Sequence, residues 1–515
     1  MLSALILIPL VGALFMGLWP GRWSGKQIWQ VSLIIQGVSL LWSLVITAQF
    51  DIQQPGLQFV ESLPWIDALG LTYRLGLDGL ALPLLIINSL LGLIAVYASP
   101  EAIKRPRLYY SLVLLINAAV AGAFLSQNFL LFFIFYELEL IPLYLLIAIW
   151  GGARRGYAAT KFLIYTSLSG ALILGGFLGL AWLGNASTFN YDPTLAQSLT
   201  LLQQCILLGA ILVGFGIKIP LFPFHTWLPD AHVEASTPVS VLLAGVLLKL
   251  GTYGLVRFGL QLFPEAWTAL APWLASWAVV SVLYGSLAAI AQRDMKKMVA
   301  YSSIGHMGYI LLATAAATPL AVLGTIMQMV SHGLISGLLF LLVGVVYAKT
   351  GTRDLQVLRG LLNPERGFPI IGSLMILGVM ASAGTPGMVG FISEFVVFRG
   401  SFAVFPVQTL LCMVGAGLTA VYFLLLMNRA FFGRLAVAPL SDRVATDLLL
   451  PPVEWRDRWP AVVLAVVIVA LGLQPSWLSR LSEATTVAMP LPTIEVAQVS
   501  ALQSYSVSVK PNSVL

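Results

Sequence analysis

The chain has 515 residues, 59% of them hydrophobic and only 9% charged, with 27 basic against 21 acidic side chains and a net charge of +6. A soluble domain carries about 25% charged residues, so this composition cannot cover a surface in water. Disorder, a disulfide-stapled secreted fold and nucleic-acid binding are excluded with it. The chain reads as an all-α polytopic membrane protein whose surroundings are the lipid bilayer.

Apolar runs near the length a bilayer requires, about 20 residues, fall at 2–19, 29–50, 79–98, 108–127, 129–150, 159–184 and 199–219. They continue at 237–263, 267–292, 298–318, 319–348, 369–398, 401–432 and 459–479, which makes fourteen predicted transmembrane helices. The first run lacks a basic leader and a small-residue cleavage site, so it is read as a retained span. Loops after odd-numbered spans carry 19 Lys and Arg, Arg22 and Arg443 among them, whereas the opposite face carries four, including Lys510. The positive-inside rule therefore puts both termini outside and the basic loops on the cytoplasmic or equivalent side.

Seven charges are left within the predicted spans: Lys161, Lys218, Lys249, Arg257, Glu137, Glu139 and Glu394. Each costs about 2.5–3.5 kcal/mol at mid-bilayer, so such residues pair, line water or carry ions. Lys161 and Arg257 lie toward helix ends, where a long stem can snorkel. Lys218, Lys249 and Glu137 lie too deep for that. The set points to an ion or proton path; a static buried pair that fixes helix register accounts for one pair but not for the whole row. Glu137 and Glu139 are two residues apart, about 200° around a helix. One faces into the bundle and the other a neighbouring helix or subunit, and the spacing leaves open which.

His306 and His332 sit among hydroxyls in AYSSIGHMGY and MVSHGLIS. A neutral imidazole there either relays protons or is a core histidine satisfied by a serine. His225 and His232, in PFHTWLPDAHVEAS, match no zinc pattern. They are assigned to a re-entrant stretch with capping or proton-entry roles. Cys205 and Cys412 stand alone in apolar stretches without metal or cluster spacing. No GxGxxG follows a strand and no Walker A motif occurs, so no cofactor or metal is expected on this chain.

Span seven runs into GIKIPLFPFH, where Pro220 and Pro223 interrupt the helix just after Lys218. Span twelve contains ASAGTPGMVGFISEF, where Gly384, Pro386, Gly387 and Gly390 break it before Glu394. Matching broken helices point to an inverted-repeat transporter and to its site. Their offset of five spans predicts two inverted five-helix repeats, helices 4–8 (108–263) and 9–13 (267–432). Residues 1–107 and 433–515 then form peripheral parts, and Lys161 on span six and His332 on span eleven occupy corresponding slots.

FYELELIPLYLLIAIWGG, AATKFLIYT, GIKIPLFPFHTWLPDAHVEASTPVSVLLAGVLLKLGTYGLVRF, KKMVAYSSIGHMGY and VSHGLISGLLF resemble the antiporter-like subunits of complex I, relatives of multisubunit cation/proton antiporter subunits. Glu394, where other members carry Lys, and the short chain end resemble the subunit-4 type. The wording of GGARRGYAATKFLIYT is similar to the photosynthetic form of that type, cyanobacterial and chloroplast, with a divergence that points to the CO2-uptake version of the complex. The resemblance implies a proton-translocating subunit of an NAD(P)H or ferredoxin:plastoquinone oxidoreductase in the thylakoid membrane. It also implies neighbouring antiporter-like and other membrane subunits as partners, with quinone and iron–sulfur clusters held by partner subunits. By the same resemblance Glu137 pairs with Lys218 in a first half-channel. Lys249 is the central connecting lysine, Glu394 the exit of the second half-channel, and Lys161, His306 and His332 modulate or relay. Glu139 receives no role from it. The rival readings are a cation/proton antiporter subunit, a solute transporter of another type, and a scaffold subunit that does not pump.

Overall fold

The structure is a computed structural model that describes residues 1–18, 21, 23–437 and 450–494. Arg22, Arg443 and Lys510, used above to orient the chain, lie outside the described residues.

Helices stand at every predicted apolar run. α1 (Leu2–Leu18) and α2 (Gly25–Gln49) lead into an antiparallel hairpin, β1 (Gln58–Ile66) and β2 (Leu71–Leu77), and then α3 (Leu82–Ala98). The hairpin is an addition to the all-helical expectation. Gly70, with φ +62°, closes its turn in the left-handed region that glycine tolerates. α4 (Pro106–Leu125), α5 (Phe129–Leu138), α6 (Leu140–Trp150), α7 (Arg155–Leu183) and α8 (Leu201–Lys218) follow. After an irregular stretch come α9 (Trp227–Glu234), α10 (Thr237–Leu242) and α11 (Leu248–Gly254), with π-helical turns at Leu243–Leu247 and Leu255–Leu260. The second half comprises α12 (Pro264–Ile290), α13 (Met295–Ala316), α14 (Pro319–Thr350), α15 (Pro369–Ser382), α16 (Val389–Phe402) and α17 (Pro406–Leu426). α18 (Trp455–Leu473) and the short α19 (Ser476–Ser479) and α20 (Glu483–Ala488) complete the described chain.

The helix starts follow from local chemistry. Ser24 with Gln27 and Thr200 with Gln203 form capping boxes, while Asn128 and Asp294 each accept two backbone amides. Proline opens α4, α12, α14, α15 and α17, where its missing N–H costs nothing. Nine helical stretches among the described residues are long and apolar enough to cross a bilayer by length and composition.

Packing repeats between the halves. α7 lies against α8 as α14 lies against α16, which are spans six on seven and eleven on twelve. The stretch Thr237–Leu260 is wholly buried and α14 nearly so, so these helices form the axis of the bundle. The outer helices show apolar faces instead, with Trp182 81% and Trp273 74% exposed, as a lipid-facing surface requires. α1 packs on α4, α2 on α3, and α18 on α14 and α16.

Loop contacts agree with the charge-derived topology. On the basic face Lys349 pairs with Asp457 at 2.9 Å, Arg456 with Glu101 at 2.7 Å and Arg353 with Asp294 at 3.4 Å, all between loops after odd-numbered spans. On the other face the N-terminal ammonium pairs with Glu61, and the Gln127 amide donates to the Arg74 carbonyl at 2.8 Å.

Candidate functional site

The first half of the site is built by a kink. Pro142 lacks an amide proton, and its ring clashes with the carbonyl of Leu138 four residues earlier. The span therefore breaks into α5 and α6, with Glu139 at the junction. There its side chain is fully buried and forms an ion pair with Lys218 at the end of α8. The Lys218 ammonium also stands 4.8 Å from the centre of the Tyr136 ring, a cation–π contact. The Trp227 indole N–H donates to the Ile217 carbonyl at 2.9 Å, which ties α9 back onto the end of α8.

The pairing of Glu137 with Lys218 is thereby corrected. Glu137 is half-buried and its carboxylate lies against Gly170 of α7, where any Cβ would collide with it. It shares its side of the span with Ile134 and Ile141, 39% and 54% exposed. The two-residue spacing separated the faces as expected, and the inward one belongs to Glu139.

The second half lies on the axis. Lys249 on α11 is buried and follows the Leu243–Leu247 π-turn, whose Ala244 carbonyl accepts from its ammonium. Such bulges re-aim backbone groups and recur at functional sites. Nζ also lies 2.7 Å from Nδ1 of His332 on α14. The His332 and His306 ring centres are 5.6 Å apart, and His306 Nε2 lies 3.7 Å from a Glu394 carboxylate oxygen on α16. Ser302, Gln328, Ser331, Ser336 and Ser382 line the same cleft, which has about 10 Å³ of free space, the scale of a single water. Between the halves, α11 approaches α8 at Gly251, where a Cβ would stand 2.8 Å from Ile219 and 3.3 Å from the Lys218 Cβ.

The remaining candidates lie elsewhere. Lys161 pairs with Asp230 at 2.8 Å near the basic end of α7, apart from its slot partner His332. His225 Nε2 is 3.1 Å from the Tyr284 hydroxyl, and His232 stacks on Phe340 at 4.3 Å. Neither histidine side chain caps a helix. Arg257 does not snorkel: it is buried and pairs with Asp78, with further bonds to Tyr253 and Gln261 at 3.3 Å. Asp78 and Asp230 escaped the sequence reading because they lie outside the apolar runs. The described residues hold no group of three His, Cys, Asp or Glu arranged to bind a metal.

Residues 126–419 match the family model described as NADH:quinone oxidoreductase/Mrp antiporter, transmembrane. NAD(P)H-quinone oxidoreductase chain 4 2 of Thermosynechococcus vestitus is 40% identical over 95% of this chain and 91% of its own length. The chain belongs to this antiporter-like family. Chain 4-2 of Synechocystis is 39% identical over 95% of this chain and 92% of its own length. Among solved structures, a chain of respiratory complex I from Thermus thermophilus superposes with a TM-score of 0.82 at 25% identity, over 95% of this chain and 99% of that one. A chain of the Mrp complex from Dietzia has the same fold, with a TM-score of 0.81 at 22% identity, covering 95% of this chain and 97% of that one. The family match spans the kinked fifth span, both broken helices and the axial row. The antiporter-like fold thus holds Glu139, Lys218, Lys249, His306, His332 and Glu394 together.

Proposed function

We propose that this chain is the proton-translocating subunit 4 of a complex I-like NAD(P)H:quinone oxidoreductase, with its redox cofactors on partner subunits. The observation that carries the reading is the buried row: Glu139 with Lys218, then Lys249, His332, His306 and Glu394 along one axis. Within it the Lys218 ammonium is held by Glu139. Separating two unit charges from about 4 Å removes about 4 kcal/mol at an effective dielectric near 20. Driving one charge against 100 mV takes about 2.3 kcal/mol, so breaking this pair suffices to push a proton onward. The released proton passes to Lys249, through His332 and His306, and leaves at Glu394.

Glu137, on a half-exposed apolar stripe at membrane depth, is the residue that meets a neighbouring membrane subunit. A carboxylate there calls for a covering partner, and that contact couples this row to the rest of the complex. The cyanobacterial source of the chain 4 relatives, at 38–40% identity, supports a thylakoid quinone oxidoreductase. We assign the chain to the CO2-uptake form, which a strain lacking it would reveal by slower inorganic-carbon uptake with respiration intact.

Lys218→Ala and Lys249→Ala in the assembled complex test the row. Both are expected to lower the ratio of protons pumped to electrons transferred, read with a pH-sensitive dye in sealed vesicles. An unchanged ratio in both variants removes the pathway assignment and leaves the scaffold reading.

A further inference from the structure

Lys296 belongs by sequence to a basic loop in water, yet in the fold it is 4% exposed. It sits in the first turn of α13, and its ammonium donates to the Ala235 carbonyl at 2.6 Å, just past the end of α9. The nearby carboxylates are engaged elsewhere. Asp294 pairs with Arg353 at 3.4 Å, and a Glu234 oxygen accepts the Arg154 amide at 2.8 Å. Among the described residues Lys296 has no acidic partner within ion-pair distance. It forms part of the wall of a cavity of about 350 Å³ on the basic face, together with Trp150, Glu234, Tyr347 and Arg353.

His232 lies inward of Lys296. Its side chain is completely buried, and neither ring nitrogen has a hydrogen-bond partner. Buried polar groups are nearly always satisfied by protein or by ordered water, so an enclosed imidazole whose nitrogens meet no protein partner is suited to contact with water. The ring lies flat on Phe340, which fixes its plane and leaves both nitrogens at the edge. Lys296 and Lys249 both act on it electrostatically, and it acts in turn on His332. Along α14 the order from the basic face inward is Tyr347 in the cavity wall with Lys296, Phe340 against His232, and His332 with Lys249.

We propose that protons enter the axial row from the basic face through this cavity, by way of Lys296 and His232 to Lys249. The inference rests on reading Lys249 as a proton carrier. The Lys296 ammonium gives a proton, through intervening water, to one ring nitrogen of His232. The imidazolium then releases the proton on its other nitrogen, again through water, to the Lys249 amine, and Lys296 regains one from water in the cavity. One proton moves, no electron does, and each side chain can start again. An ammonium removed from water gives up its proton more readily than an exposed one, which suits Lys296 to this position better than the neighbouring Lys297. The enclosed ring suits His232 because imidazole alone can accept at one nitrogen while releasing at the other.

The test uses the intact complex in sealed vesicles, with this subunit's share of pumping defined as the part lost in Lys249→Ala. In Lys296→Ala and in His232→Phe that share is expected to fall about a hundredfold, at the low end of what removing a positioned proton-transfer group costs. Added ethylamine, small enough for the cavity beside residue 296, is expected to restore pumping in Lys296→Ala and to leave His232→Phe unchanged. Native gels of each variant establish assembly, and Lys296→Arg, which keeps the charge and the bond to Ala235 but holds its proton, is expected to remain defective. Full pumping in Lys296→Ala and His232→Phe overturns the entry route while Lys249 keeps its role. Recovery in Lys296→Arg without amine rescue also overturns it, because Lys296 then acts only as a structural cation. If Lys249→Ala itself pumps normally, the reading of the whole row falls first.

Discussion

Glu139 and Glu137 differ in what their loss does. Removing one partner of a buried ion pair leaves an uncompensated charge, typically about 3–5 kcal/mol of destabilisation. Glu139→Gln strands the Lys218 ammonium, so a clear drop in the thermal stability of the purified complex is expected, together with lost pumping. Glu137→Gln leaves the Lys218 pair intact, and its melting temperature is expected to stay close to that of the parent. Equal losses in both variants would return Lys218 to Glu137. Asp78 and Arg257 form a second buried pair on the axis side of α3. Asp78→Asn is expected to destabilise by a similar amount, and Asp78→Asn with Arg257→Gln together by less than the two single losses added. Additive losses would show that the two side chains do not depend on one another. Nothing in composition or spacing marked these partners, because a pair 179 residues apart is created only when the helices pack.

At the scale of the element, four interruptions place the chemistry. The breaks after Lys218 and before Glu394 were legible, since Pro220, Pro223, Gly384 and Pro386 have fixed backbone consequences. Pro142 was equally visible, but treating residues 129–150 as one straight helix hid the turn that Glu139 makes at the junction of α5 and α6. The π-turn before Lys249 carries no sequence mark at all: LAGVL is ordinary helix wording, and the extra residue is accommodated because the surrounding helices are packed around it. Deleting Val246 should convert this turn to regular helix and swing Lys249 by about 100° away from His332. Lost pumping with an assembled complex is expected from such a deletion; normal pumping would show that the turn has no part in aiming the lysine.

For the whole molecule, the bilayer imposes the topology. Ion pairs on the basic face join loops after odd-numbered spans, and the N-terminal ammonium meets the β-hairpin on the opposite face. Cysteines introduced at Ala153 and Ser187 are expected to react with an impermeant maleimide from opposite sides of the membrane. Labelling of both from one side would show that α7 does not cross the membrane and would overturn the topology. The chain shares its family model and its fold with Mrp-type chains, and the axial row is built of lysines and histidines beside Glu139 and Glu394, groups that carry protons. The proton-to-electron ratio is accordingly expected to be the same in sodium-free and sodium-containing buffer, and a sodium requirement would favour the cation-exchange reading.

The sequence by itself determined that this chain lies in a membrane, how many apolar runs it has, which loops share a face, and which ionisable residues lie deep within the runs. Each of these follows from the cost of placing a charge or an open backbone group in hydrocarbon, a local penalty that can be counted residue by residue. Only the tertiary structure decided that Lys218 takes Glu139, that Arg257 finds Asp78, and that Lys296 leaves water for the seam above His232. Those outcomes depend on a proline kink, a helical bulge and a re-entrant segment bringing distant atoms within a few ångströms, and no penalty written along the chain specifies which atoms will meet.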